Sequence, residues 1–102
     1  MDPAIPDSKF LISDVVVSTA GRDRGESFYV VGVEGEYLML ANGKDRTLDK
    51  PKRKKRKHVQ KVLRSETRVA EKLRRGDKVL NGELRRDLAF HASQMQANNL
   101  GG

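Results

Sequence analysis

The chain contains no cysteine, so disulfides, thiolate nucleophiles and cysteine-based zinc sites are excluded from the outset. That absence fits a reducing compartment, and the cytoplasm is the expected location. Tryptophan is missing too, and only three Phe and two Tyr occur, so a core has to be built mainly from Val and Leu. No apolar run approaches the roughly 18 residues that a membrane-spanning helix needs. The opening "MDPAIPDSKF" has neither a basic leader nor an apolar segment, so secretion is not indicated. Prolines number three, and two of them fall in residues 1 to 9, which read as a flexible N-terminal arm.

What the chain does have is charge. Charged residues make up 34% of its 102 positions and the formal net charge is +7, a balance that favours polyanionic partners. The surplus is polarised. Residues 1 to 49 carry five Lys/Arg against nine Asp/Glu, whereas residues 50 to 102 carry sixteen against five. The length is that of one small domain.

Three segments rich in Val, Leu, Phe and Tyr, "FLISDVVVSTAG", "SFYVVGVEG" and "EYLMLANG", each end in a glycine-containing turn, which is the punctuation of an antiparallel sheet. Glu34-Gly35 and Asn42-Gly43 read as hairpin turns, Asn-Gly being the stronger signal because both residues tolerate positive φ. Strands two, three and four are therefore expected to form a meander, and "HVQKV" to add a half-buried strand that closes it. The expected fold is mainly β, a small barrel of about five strands over residues 10 to 64, with a basic loop at 50 to 57. Beyond it the period changes. Val69, Ala70 and Leu73 have helical spacing, with Ser65 available as N-cap and Gly76 as the stop. Asn81 reads as the cap of a second helix lined by Leu84, Leu88, His91 or Ala92, and Met95. The helical extension spans 65 to 96, and 97 to 102 read as a frayed tail.

Two basic elements stand out. In "STAGRDRGESF", Gly21 and Gly25 bracket Arg22, Asp23 and Arg24 in a tight loop, either a solvated hairpin or an RNA contact, for which Arg is the better residue. Further on, Lys50, Lys52, Arg53, Lys54, Lys55, Arg56 and Lys57 put seven cations within eight positions. Such crowding repels itself unless a polyanion neutralises it. It can be a solvated loop, or, outside bacteria, a nuclear-import address, since "PKRKKRK" is similar to such signals. The preferred reading sets it beside the Arg22 to Arg24 loop so that both grip one phosphate backbone, with His58 and Lys61 at its margin. His58 has no further ligand at metal spacing, and His91 reads as a packing or capping residue. No nucleophile elbow, phosphate-cradling loop or paired carboxylate is present, so no catalytic residue, metal or cofactor is assigned. Phe28, Tyr29 and Tyr37 can stack bases, though at least half of them are expected in the core.

These residues also carry a resemblance. "VVVSTAGRDRGESFYVV" is similar to a KOW motif, the strand, glycine-bearing loop and strand of several ribosomal proteins and transcription elongation factors. Together with "NGKDRTLDKPKRKKRKHVQ" and "AEKLRRGDKVLNGELRRDL", it resembles small bacterial KOW proteins related to a class of archaeal and eukaryotic large-subunit ribosomal proteins. The likeness runs from about residue 13 to 88, leaving "DPAIPDSKFLI" and "ASQMQANNLGG" outside the pattern. It implies an SH3-like (KOW) antiparallel barrel followed by two short C-terminal helices. It further implies a non-enzymatic RNA-binding protein, with ribosomal RNA and the ribosome as partners; no membrane partner is expected from the lack of an apolar run, and a monomer is expected when free. The alternative is a protein-interaction adaptor of the transcription or translation machinery, using the barrel and the amphipathic Leu84, Leu88, Met95 stripe.

Overall fold

Why the β-rich segments contain adjacent apolar residues, rather than a simple in-out alternation, becomes clear once both faces of the sheet are seen to be covered. The structure, a computed structural model, describes residues 9 to 101, with side chains described as far as Met95. All of the expected N-terminal arm except Lys9 lies outside the described residues. Strands β1 (Asp14–Ser18), β2 (Ser27–Glu34), β3 (Tyr37–Ala41), β4 (Lys52–Lys55) and β5 (Val59–Arg64) form one sheet, followed by helices α1 (Arg68–Arg75) and α2 (Asn81–Gly101). The order is β4-β3-β2-β1-β5, every pair antiparallel.

Alternate residues of each strand go to opposite faces. Val16, Phe28, Val30, Leu38 and Leu40 join Phe10 and Val59 in an inner cluster. Val15, Tyr29 and Ala41 face the other way, where Leu84 of α2 lies on them with Leu73, Val79 and Leu88 around it. Register shifts at Val15/Val16 and at Val30/Gly32 mark irregularities of the kind that bend a sheet. A single 3-10 turn, Arg56–His58, carries the chain from β4 to β5, and β5 pairs with β1 from Asp14↔Arg64 to Ser18↔Val59. The meander from β1 to β4 and the returning β5 make the small barrel-like domain expected from the sequence.

Four local expectations are corrected. The basic run is not a loop: Lys52–Lys55 is strand β4, paired along β3 from Leu40↔Lys52 to Tyr37↔Lys55. Asn42-Gly43 is not a two-residue hairpin but the start of a loop to residue 51, folded on the Asn42 carboxamide, whose Oδ1 accepts from the Lys44 and Arg46 amides at 2.9 and 3.0 Å. Positive φ at Gly43 (77°) serves a close approach, because a Cβ there would lie 2.2 Å from the Asn81 carbonyl. Thr67, not Ser65, caps α1: its Oγ1 accepts from the Ala70 amide at 3.2 Å. Asn81 does not cap α2. Its Oδ1 accepts from the Leu48 amide at 2.8 Å, while the Glu83 carboxylate accepts from the Leu80 amide at 2.9 Å in the manner of a capping box.

Gly76 ends α1 as expected, in the left-handed region with φ 76°. The second helix is longer than the short one anticipated, 21 residues reaching Gly101, so its backbone continues through the stretch read as a frayed tail. Its apolar stripe divides: Leu84 is fully buried and Leu88 packs against the outer cluster, whereas Met95 is 43% exposed. The part of the stripe that an adaptor would need is therefore largely occupied by the sheet.

Candidate nucleic-acid interface

A strand made of "KRKK" has no apolar residue to place, yet its period of two still sorts its side chains. Lys52 and Lys54 lie opposite Leu40 and Leu38, and their ammonium groups reach the loop between β1 and β2. Lys54 Nζ donates to the Ala20 carbonyl at 2.8 Å and to Asp23 Oδ1 at 2.9 Å, and Lys52 Nζ lies 2.8 Å from Asp23 Oδ2. The Ser18 hydroxyl donates to the same Asp23 Oδ1 at 2.7 Å. Burial pushes the Asp23 carboxyl up, but hydrogen bonds from Lys52, Lys54 and Ser18 outweigh it and hold the group far below the usual carboxylate range. With Lys54 only 8% exposed, this is an interior ion cluster and not a free cationic surface.

The same cluster shapes the arginine loop. Gly21 and Gly25, at φ 87° and 90°, let the chain double back around Asp23, and the Gly25 and Glu26 amides donate to the Ser18 and Asp23 carbonyls at 2.8 and 2.9 Å. Asp23 points in, while its neighbours Arg22 and Arg24 are exposed. The pairing of the two basic elements expected from the sequence is therefore present, made by Lys52 and Lys54 themselves.

On the other side of β4, Arg53 and Lys55 lie opposite Met39 and Tyr37. The Arg53 guanidinium sits 4.0 Å above the Tyr37 ring and is itself exposed. Lys50 and Lys57 are exposed, and Lys55, Arg56 and His58 are half-buried. Arg56 Nε donates to the Gly35 carbonyl at 2.6 Å, and the His58 carbonyl accepts from the Thr19 amide at 2.9 Å, so both help tie the turn to the barrel. Lys61 stands apart on β5. Its Nζ donates to the Lys9 carbonyl at 2.8 Å and lies 3.2 Å from the fully buried Asp14, which Arg64 approaches to 3.6 Å. Lys61 thus neutralises an interior carboxylate away from β4.

Two cations were missed by sequence reasoning. Lys44 and Arg46 are exposed in the 42 to 51 loop, and the Arg46 side chain shares with Arg22 and Lys52 the lining of a cavity of about 250 Å³. The signal lay in "NGKDR", read for its turn and not for its charge.

Of the aromatic candidates, Phe28 and Tyr29 are core residues and Tyr37 is half-buried beneath Arg53. The Tyr29 hydroxyl ends in a polar knot. It donates to Asp87, lies 2.8 Å from Ser65 Oγ and 3.1 Å from His91 Nε2, and Ser65 Oγ is 2.9 Å from that same nitrogen. Burial, reinforced by Asp87, pushes the phenol well above its usual range. Ser65, His91 and Asp87 have the residue types of a hydrolytic triad but not its geometry. Serine and carboxylate both meet Nε2, the latter at 3.6 Å, and Ser65 is 1% exposed. The knot pins α2 to the sheet, which gives His91 a packing role. Among the described residues, no group of three or more His, Asp or Glu side chains is arranged to hold a metal ion.

No family model matches the chain and no curated protein matches it significantly, so the functional reading rests on these residues.

Proposed function

We propose that the chain is a non-enzymatic RNA-binding protein that captures the phosphate backbone of structured RNA, ribosomal RNA being the class its KOW resemblance implies. The observation that carries this reading is the division of labour along β4. Lys52 and Lys54 anchor the Arg22 and Arg24 loop beside the strand, and Arg53, Lys55, Lys50 and Lys57 stay at the surface of the unit so formed. Backbone contacts of this kind supply affinity and position without reading sequence. Arg53, a planar guanidinium already supported by Tyr37, adds a surface on which an unstacked base can lie.

A salt series measures the proposal. If about six phosphates are neutralised, the logarithm of the affinity for a structured RNA falls with the logarithm of salt at a slope of about −4 to −5. Arg53→Glu/Lys55→Glu lowers the affinity at least tenfold and flattens that slope, with the circular dichroism spectrum unchanged. A double variant that binds as the parent does, with the same slope, would falsify the reading. Cosedimentation with separated ribosomal subunits then distinguishes a ribosomal partner, bound on one subunit at physiological salt, from generic polyanion affinity.

A further inference from the structure

The cavity between the β1–β2 loop and the 42 to 51 loop holds more chemistry than phosphate capture needs. Its lining mixes cations, Arg22, Arg46 and Lys52, with carboxylates, Asp23, Glu26 and Asp45. Several of these are already matched: Lys52 to Asp23, and Asp45 to the Asn42 carboxamide, whose Nδ2 donates to Asp45 Oδ1 at 2.8 Å. Three side chains are left over. Arg22, Arg46 and Glu26 make no ion pair within 4 Å among the described residues, although Arg46 adds to the hydrogen bonds that lower the Asp45 carboxyl, and all three are exposed at the mouth. The backbones of Glu26 and Arg46 are nonetheless fixed. The Glu26 amide donates to the Asp23 carbonyl at 2.9 Å, and the Arg46 carbonyl accepts from the Asn42 and Gly43 amides at 2.8 and 3.0 Å.

Two guanidinium groups and one carboxylate without an ion pair, lining the same cavity, complement a nucleotide better than a bare phosphate, which the carboxylate would repel. The carboxylate also selects among bases. Guanine alone offers two adjacent donors, N1–H and the N2 amino group, matching the two oxygens of a carboxylate. Uracil offers one imide N–H between two carbonyls, and adenine and cytosine each set an acceptor beside their amino group. We propose that this cleft takes the Watson–Crick edge of an unstacked guanine of the bound RNA, Glu26 accepting from N1–H and N2–H while Arg22 and Arg46 hold the flanking phosphates. The inference rests on the RNA-binding reading and adds to it a point of sequence preference that backbone contacts cannot supply.

The test is fluorescence anisotropy at physiological salt with labelled oligouridine carrying one central guanosine, inosine or adenosine, run beside a structured RNA. Guanosine binds about tenfold more tightly than adenosine, and inosine, which lacks the 2-amino group, falls between them. Glu26→Gln brings the three within about twofold of one another, since a glutamine amide cannot accept at both positions, and, with the repelling carboxylate gone, it binds plain oligouridine at least as tightly as the parent does. Equal binding of guanosine and adenosine by the parent chain overturns the inference, as does a preference that survives Glu26→Gln. Structured RNA bound while every oligonucleotide fails also overturns it and leaves the RNA-binding reading standing. No binding to any RNA removes both.

Discussion

The two sides of strand β4 carry the same kind of residue under opposite conditions. Lys52 and Lys54 meet Asp23, a carboxylate 8% exposed; Lys54 is buried with it, and Lys52 is half-buried, so the charges of both are taken up by that carboxylate. Arg53 and Lys55, each one residue away, lie outside, one on the face of Tyr37 and the other half-buried beside the edge of the barrel. A basic run is therefore not one functional unit. The strand period divides it into cations that the fold requires and cations that a ligand can use. Buried ion pairs do not have to stabilise a protein relative to apolar packing, but once built they are costly to break, because the surviving partner is left uncompensated in a poor dielectric.

The sharpest way to break the comparison is to remove one lysine from each side. Lys54→Ala leaves Asp23 with half of its neutralisation and takes one of two side-chain donors from the Ala20 carbonyl, and is expected to cost about 3 to 5 kcal/mol in urea unfolding. Lys55→Ala is expected to cost no more than about 0.5 kcal/mol. Similar unfolding midpoints for the two variants would show that the inner cluster is not structural. Because a domain of this size has only a small reserve of stability, Lys54→Glu is expected not to fold at all.

Acid sharpens the same contrast to a smaller degree. The Asp23 carboxyl ordinarily titrates near 3.8, and in the folded chain it is held far lower. A depressed folded value means that the ionised group stabilises the native state above the ordinary range, and that this contribution drains away as pH falls below about 4. Asp23→Asn lacks the titration, so the parent is the more stable of the two at pH 7 and the difference narrows between about pH 4 and pH 2. A gap between parent and variant that stays constant over that interval would remove the ion cluster from the description of the loop.

How much of this was legible in the sequence follows the same division. The strands β1, β2, β3 and β5 were readable because Val, Phe, Tyr and Leu mark them, and α1 because Gly76 stops it. Strand β4 was not readable, since hydrophobic periodicity is silent in "KRKK" and lysine is poor in strands; its placement depends on Asp23, 31 residues away in sequence from Lys54. Asn42-Gly43 misled for a related reason. The positive φ is present, but it makes room for the Asn81 carbonyl of α2 and not for a tight hairpin. Ser65 is by chemistry at least as good a cap as Thr67, and what removes it from that role is that it is held by Tyr29 and His91. In the candidate interface, the adjacency of the two basic elements could be anticipated from their charge. Which lysines would be consumed in making it could not.

The finest test of the outer side is Arg53→Lys, which keeps the charge and changes only its shape. If β4 outside the barrel is merely a row of positive charges, a lysine there binds RNA as the arginine does, because a phosphate is served nearly as well by an ammonium point charge. If the guanidinium over Tyr37 is a stacking surface, the lysine loses the planar layer, and affinity for an RNA with unpaired bases drops about three- to tenfold while affinity for a perfect duplex is unchanged. The stability cost is small, about 0.5 kcal/mol for weakening an exposed cation–π pair. Anisotropy on hairpin and duplex RNA at matched salt separates the outcomes: unchanged affinity on both would assign Arg53 to phosphate alone, and a drop confined to the hairpin would assign it to the bases.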